Sequence, residues 1–421
     1  MKLTELSRIV AGQCLGADVT FAAVSIDTRT LKPGDLFIAI SGVRFDGHDF
    51  VAQAVEKGAS AALVEHALDI DLPQVVVADC RRALGQLGAA WRDARSAKVV
   101  GVTGSNGKTT AKEMIGAILG VHGPVLKTRG NLNNDLGVPL TLIELQSEHR
   151  YAVIEMGANH AGEIAYVAGL AKPDVGLITN AGAAHLEGFG SREGVARAKG
   201  EMITALGAQG VAVLNADDDF IGLWRELAAN RRVITFGFGD SAEVRGLTAS
   251  VKVCHGESGF QTSFDYCHGG QTHAIRLGVA GRHNVANALA AIAVSLALEI
   301  DPAQIAEGLS RVTPVAGRMQ PVFAENGTLL INDTYNANPS SFQAALDVLC
   351  EMPGQPWVVL GTFGELGEDS AELHAELGRQ ARAKGVVRLF ATGPFAERAV
   401  ETFGAGAVYY AEQAQLIEQL K

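Results

Sequence analysis

The stretch Lys98–Thr110, KVVGVTGSNGKTT, constrains the fold of this chain more than any other. An apolar β-branched run, Val99-Val100-Gly101-Val102, meets Gly104-Ser105-Asn106-Gly107. Lys108 then opens a segment whose apolar positions Met114, Ile115, Ile118 and Leu119 recur with the period of a helix. Strand, glycine turn and helix in this order present backbone N–H groups and the positive end of a helix dipole to an anion. The commonest phosphate loop has four residues between its first glycine and the Gly-Lys pair, and counting back five from Gly107 gives Val102, so only the shorter spacing from Gly104 is present. On this reading Lys108 reaches terminal phosphates and the Thr109 hydroxyl holds magnesium. The structural alternative is a glycine-rich turn before a surface helix.

Around this loop the sequence divides into three regimes. Residues 1–97 combine short strands (DLFIAI, AALVE), turn-rich LKPGD and SGVRFDGHDF, and the helical ALGQLGAAWRDAR, as a compact α/β unit. Residues 98–312 carry apolar runs that end in small or polar residues, KVVGVTGS, YAVIEMGA, DVGLITNAG and GVAVLNADD, separated by helical segments. That is the pattern of a mostly parallel sheet with ligand residues at the carboxyl ends of its strands. The polar stretch 251–281 predicts antiparallel hairpins within it. After the linker-like SRVTPVAGRMQP, residues 313–421 alternate again from GTLLIND onwards, as a second doubly wound unit. The expected fold class is therefore α/β in three domains.

With a net charge of -11 and no basic run, the chain is a poor candidate for nucleic acid or anionic membrane, and cation sites must be local. Five scattered cysteines without a CxxC pair suit reduced thiols in a cytosolic protein. The N-terminal MKLTELSRIVAG reads as a short amphipathic helix, not a signal peptide, and no apolar run has membrane-spanning length.

Beyond the loop, IEMGAN places Glu155 past one strand and ITNAGAAH places Asn180 and His185 past another. Singly, a strand-end Glu is more often a cap or surface group, and a lone His more often structural. Their shared location at strand ends raises the functional reading. Lys199, in SREGVARAKGEM, reads by itself as an ordinary helical lysine.

Together, TGSNGKTT, NLNNDLGVPLT, IEMGANHAGEI, TNAGAAHLEGFGS, ARAKGEM, AGRHNVANALAA, GRM and DTYNANPSS resemble the Mur ligases of peptidoglycan synthesis, over essentially the whole chain. The resemblance implies a small UDP-binding domain, a central P-loop ATPase-like parallel sheet domain and a C-terminal Rossmann-like domain that binds the acceptor. It also implies the family's shorter phosphate loop and an amide ligase that runs through an acyl phosphate. Within the family it points to the branch that adds D-alanyl-D-alanine to UDP-N-acetylmuramoyl-tripeptide, as a cytoplasmic monomer without membrane insertion.

The residue roles implied are these. Gly104, Ser105, Asn106, Gly107, Lys108, Thr109 and Thr110 hold the ATP phosphates, and Asn284, Arg318 and Asp333 hold its base and ribose. Thr109 and Glu155 hold one magnesium and His185 serves a second. Lys199 matches the position carbamylated by carbon dioxide, whose new carboxylate helps organise that metal. Lys108, Glu155, His185 and Lys199 are thereby the expected catalytic set. Carbamylation needs the neutral amine, which from an ordinary lysine pKa of about 10.4 costs roughly 4 to 5 kcal/mol at pH 7. Thr28, Arg29 and Gly42 are implied contacts for the uridine diphosphate, and Thr128, Asn131, Asn133 and Asn134 lie in the loop near the reacting carboxylate. For Arg29 a surface ion pair is an equal alternative.

Two departures stand out. A family stretch that usually begins Gly-Asp-Met here reads GTFGELGE, with Thr362 and Phe363 in the second and third places, which leaves the acceptor contacts open. The family generally continues past the position of Lys421 into a strand region with a GSR-type motif, and the sequence leaves open whether this chain is naturally shorter or a piece of a longer one. The nearest rival branch, which adds the third stem amino acid, carries a DNPR-type motif that has no counterpart at DTYNANP. Folylpolyglutamate synthetase is disfavoured by the Thr109-Thr110 pair and the uridine-domain match. A catalytically silent nucleotide-binding scaffold would be expected to lose Glu155, His185 or Lys199, and all are present. Whether the substrate's third residue is diaminopimelate or lysine is not encoded in any motif.

Overall fold

The computed structural model describes residues 1–182, 186–256, 259–364 and 366–420. These form two compact units built from non-contiguous stretches: Met1–Gly101 with Gly123–Gly157 and Glu163–Asp174, and Val102–His122 with Ala158–Gly162 and Val175–Lys421.

In the first unit, a five-stranded sheet runs in the order Gln13–Leu15, Gln74–Val76, Ala61–Val64, Leu36–Ile38, Val24–Ser25. Its first pair is antiparallel and the rest are parallel. Strands covered on both faces need apolar residues at every position, and Leu36–Ile38 and Ala61–Val64 are buried throughout. Successive side chains go to opposite faces. Leu36, Ile38 and Leu63 pack with the helices Leu3–Ile9 and Cys80–Asp93, whereas Phe37, Ala39, Ala62 and Val64 pack with Val51 and Ala54 on the other side. Asp79 caps the Cys80–Asp93 helix by accepting from the Arg82 N–H at 2.9 Å. The unit also holds the parallel pair Val125–Lys127 and Tyr151–Glu155. All five residues of Tyr151–Glu155 are buried, so this strand carries a carboxylate into an apolar interior at its carboxyl end.

In the second unit, Val175–Ile178, Val211–Asn215, Arg232–Gly237 and Val244–Gly246 pair in parallel. The stretch expected to form hairpins does so, as Lys252–Gly256, Gly259–His268 and Gln271–Leu277. The helix Arg282–Ala297 is almost wholly apolar after its first turn and correspondingly buried. A parallel sheet of Trp357–Leu360, Arg388–Thr392 and Ala407–Tyr410 follows. Val358, Leu360, Leu389 and Ala391 meet the helices Ser370–Ala383 and Ala396–Phe403 in one cluster.

The segment GTLLIND does not enter that parallel sheet. Its strand Leu329–Asn332 pairs antiparallel with Gln320–Phe323 as a two-stranded ribbon. The reason is visible in its burial: Leu330 is 52% exposed, so the strand has cover on one face only. Among the described residues no helix is long and apolar enough to cross a membrane.

Candidate active site

The phosphate loop begins where the strand Lys98–Thr103 ends and closes at the first turn of the helix Lys108–His122. Its shape is imposed from the end of the neighbouring strand. Ser105 N–H donates to the Asn180 carbonyl and Asn106 N–H to Asn180 Oδ1, both at 3.0 Å. The Asn106 carbonyl accepts from Thr179 Oγ1 at 2.6 Å and from Asn180 Nδ2 at 3.1 Å. Two glycines are required by this packing. Gly104, at φ +142°, has Thr179 Oγ1 only 1.9 Å from where a Cβ would stand. Gly107, at φ +81°, has Asn287 Oδ1 at 2.2 Å from the same position. Lys108 folds back over the loop, its ammonium donating to the carbonyls of Gly104 at 2.7 Å and Ser105 at 3.3 Å. Thr109 and Thr110 lie in the first turn of the helix, and a helix N-terminus is a natural seat for an anion.

Of the nucleotide candidates from later segments, Arg318 bonds to the first turn of this helix directly, Asn284 stands behind Asn287, and Asp333 is fixed beside Arg318. Asn284 donates to the Ala280 carbonyl at 2.7 Å, and its Oδ1 accepts from Asn287, which backs Gly107. Arg318 Nη2 donates to Thr109 Oγ1 at 3.3 Å while its guanidinium stacks 4.4 Å above the Tyr335 ring. Asp333 is tied to the same turn by accepting from Met319 N–H at 3.0 Å; burial raises its pKa above the ordinary carboxylate value, with that hydrogen bond and Arg318 opposing. Beside Asn284, burial drives the His283 pKa down to about 4.

Lys199 sits in the helix Arg192–Thr204, which Ser191 caps by accepting from Gly194 N–H at 3.0 Å. It is only 2% exposed, with its ammonium 5.3 Å from the Phe189 ring centroid. His185 lies outside the described residues.

The first unit holds the remaining candidates. Glu155, 3% exposed, accepts from Asn133 Nδ2 at 2.9 Å, and its backbone N–H donates to Thr128 Oγ1 at 2.9 Å. Thr128, Asn133 and Glu155 are thus brought together. Asn134 instead receives the Gly137 N–H, which shapes the turn before the helix Gly137–Ile143, and Asn131 is exposed. Thr28 is buried and gives its hydroxyl to Gln53. Arg29, with an 87% exposed side chain, is forked onto Asp27 through hydrogen bonds of 2.7 to 3.0 Å that hold the Asp27 carboxyl below its ordinary pKa. Gly42 lies in an exposed turn where its N–H donates to the Phe45 carbonyl at 2.9 Å.

Thr179 and Asn287 were not among the expected site residues, and neither were Asn338 and Ser340. The sequence carried a signal for some of them. Asn287 follows Asn284 by three positions, on the same helix face, and Asn338-Pro339-Ser340-Ser341 has the form of a helix N-cap with Pro at the first position.

The sequence matches the family descriptions "Mur ligase family, catalytic domain" over residues 20–97, "Mur ligase middle domain" over 102–295 and "Mur ligase, glutamate ligase domain" over 317–421. The chain belongs to the Mur ligase family. It is 44% identical, over all of its own length and 91% of the other's, to the UDP-N-acetylmuramoyl-tripeptide–D-alanyl-D-alanine ligase of Escherichia coli strain K12. Among solved structures it is similar to MurF from Acinetobacter baumannii, at 40% identity and a TM-score of 0.93, with 99% of this chain and 91% of that one covered. It is also similar to the MurF ligase from Thermotoga maritima in complex with ADP, at 30% identity and a TM-score of 0.84, with 94% and 90% covered.

Proposed function

We propose that this chain is an ATP-dependent ligase that joins D-alanyl-D-alanine to UDP-N-acetylmuramoyl-tripeptide in cytoplasmic peptidoglycan precursor synthesis, acting as a monomer. The observation that carries the nucleotide half of this reading is the short phosphate loop, held open by Asn180 at the N-terminus of a fifteen-residue helix. The choice of substrates is supported by the E. coli relative, similar over the full length, whose name states them. We place domain boundaries at 97/98 and 312/313, in keeping with the stretches over which the three family descriptions match.

The chemistry follows from the poor reactivity of a carboxylate towards an amine. A carboxylate oxygen of the tripeptide attacks the γ-phosphorus of ATP, and ADP departs. The dipeptide amine then attacks the acyl carbon, losing a proton, and the tetrahedral intermediate expels inorganic phosphate, which keeps the carboxylate oxygen. The first step brings two anions together, so cations must offset their repulsion. Lys108 meets that need once it leaves the Gly104 and Ser105 carbonyls for the β- and γ-phosphates. Arg318, Asp333 and Asn284 orient the nucleoside.

The hydroxyl of Thr109 and the carboxylate of Glu155 are hard oxygen donors of the kind magnesium selects, and with His185 they form the proposed metal set. Magnesium supplies charge neutralisation at the phosphates. A carbamate on Lys199 would add a further oxygen donor. Its burial supports that role, because it keeps bulk water away from the nitrogen that would carry the carbamate. Thr128 and Asn133 fix the backbone and carboxylate of Glu155, and with Asn131 and Asn134 line the stretch near the reacting carboxylate. Thr28, Arg29 and Gly42 are assigned to the uridine diphosphate end.

The test is phosphate release from ATP with magnesium and UDP-N-acetylmuramoyl-tripeptide, with and without D-alanyl-D-alanine, following the product by mass. Dipeptide-dependent release with stoichiometric ligated product is expected. Release indifferent to the dipeptide, with diaminopimelate or lysine accepted instead, overturns the choice of acceptor.

A further inference from the structure

The helix Pro339–Glu351 starts with a cap that does more than end a helix. Asn338 Oδ1 accepts from Ser341 N–H at 2.9 Å, and Ser341 Oγ accepts from Asn338 N–H at 3.0 Å, which completes a capping box. Two further bonds leave this cap for the phosphate loop, more than 230 residues away in sequence. Asn338 Nδ2 donates to Asn106 Oδ1 at 2.6 Å, and Asn106 Nδ2 donates to Ser340 Oγ at 3.0 Å. Ser340 Oγ donates in turn to Asn338 Oδ1 at 2.7 Å. The three side chains form a closed ring in which each donates once and accepts once, and rings of this kind gain from mutual polarisation.

The backbone of Asn106 is held just as firmly on its other side by Thr179 and Asn180. Asn106 is therefore a rigid link between the strand-end scaffold of the loop and the first turn of a helix in the third segment. A helix capped by its own box has no need of a partner in the phosphate loop, so the ring is not explained by the cap.

We propose that Asn338 and Ser340 are positioning residues for the ligase reaction, which through Asn106 couple occupancy of the phosphate loop to the placement of segment 313–421. The inference rests on reading the loop as an ATP site. Phosphate entering the loop draws Lys108 away from the Gly104 and Ser105 carbonyls and orders residues 104–107. Asn106 passes that ordering to the N-terminus of Pro339–Glu351, the first helix of the segment assigned to the acceptor. Hydrogen bonds between partly exposed groups contribute individually little, so the ring acts as a register device and not as a source of affinity.

The experiment is amide hydrogen exchange of the full chain, with and without a saturating non-hydrolysable ATP analogue and magnesium, alongside steady-state kinetics. In the native chain, exchange at Ser340–Phe342 slows at least threefold on binding. Ser340→Ala breaks the ring while sparing the cap, and Asn338→Asp keeps the cap's acceptor while removing the donor to Asn106. Ser340→Ala should bind the analogue within threefold of native, lose the slowing, and show kcat reduced tenfold or more with KM for ATP little changed. Ser340→Thr, which retains the hydroxyl, should restore both. Binding without any change at Ser340–Phe342 in the native chain, or a Ser340→Ala variant with native kcat, overturns the coupling alone. Absence of nucleotide binding to the native chain overturns the functional reading and the coupling with it.

Discussion

Replacing Gly107 with alanine tests whether the phosphate loop is shaped by its packing. At φ +81° an L-residue pays roughly 1–2 kcal/mol for the left-handed backbone. The new Cβ would also stand 2.2 Å from Asn287 Oδ1, so Asn287 must retreat by more than about 1 Å to reach the 3.4–4 Å of ordinary contact. Asn287 cannot retreat freely, because its Nδ2 donates to Asn284 Oδ1 at 3.2 Å, and losing that bond costs a further ~1 kcal/mol. The native loop is then disfavoured by about 2–3 kcal/mol, which predicts a 30- to 150-fold rise in Kd for ADP with magnesium. Calorimetric titration measures it directly. Gly120→Ala, on the same helix with nothing within 4 Å of its Cβ, is the control. It should leave the affinity within twofold and raise stability by about 0.5–1 kcal/mol. A Gly107→Ala protein that binds ADP within threefold of native would refute the argument.

Arg318→Ala removes the donor to Thr109 Oγ1, and a charged hydrogen bond of ~1.5–3 kcal/mol implies kcat/KM for ATP lower by about 10- to 150-fold; a loss under threefold contradicts the assignment. Lys199→Met places an unbranched apolar side chain one atom shorter at this buried position, so folding and KM for ATP should hold while kcat falls by ~100-fold. In the native chain a carbamate carbon signal from labelled carbon dioxide should be present and be absent from this variant. His283 has a folded pKa of about 4 against 6.5 in the unfolded chain. Between those values the unfolded state binds more protons, so stability is full above pH 6.5 and falls by up to about 3 kcal/mol as pH drops towards 4. Urea midpoints across that window should fall in the native chain and flatten in His283→Gln; equal slopes would refute the role of His283.

The short-range features of the molecule were legible in the sequence. Gly104, Gly107 and Lys108 declare the turn and the helix start because the chemistry is local, and the apolar run Tyr151–Ile154 declares the burial of its strand through composition alone. Long-range pairings were not. Nothing in NANPSS says that Asn338 meets Asn106, since a cap and a clasp use the same residue types. The strand Leu329–Asn332 reads like any apolar strand until its one-sided exposure shows it to be a ribbon. Arg29 was ambiguous for an electrostatic reason: a carboxylate two residues away offers a fork without any ligand, and Asp27 takes it.

The central claim is that the chain makes an amide by way of an acyl phosphate. Tripeptide substrate labelled with 18O in the reacting carboxylate tests this most directly, with the inorganic phosphate examined by mass after turnover with ATP, magnesium and D-alanyl-D-alanine. The account predicts one labelled oxygen in each phosphate released in step with ligated product. Ligated product accompanied by unlabelled phosphate would contradict it.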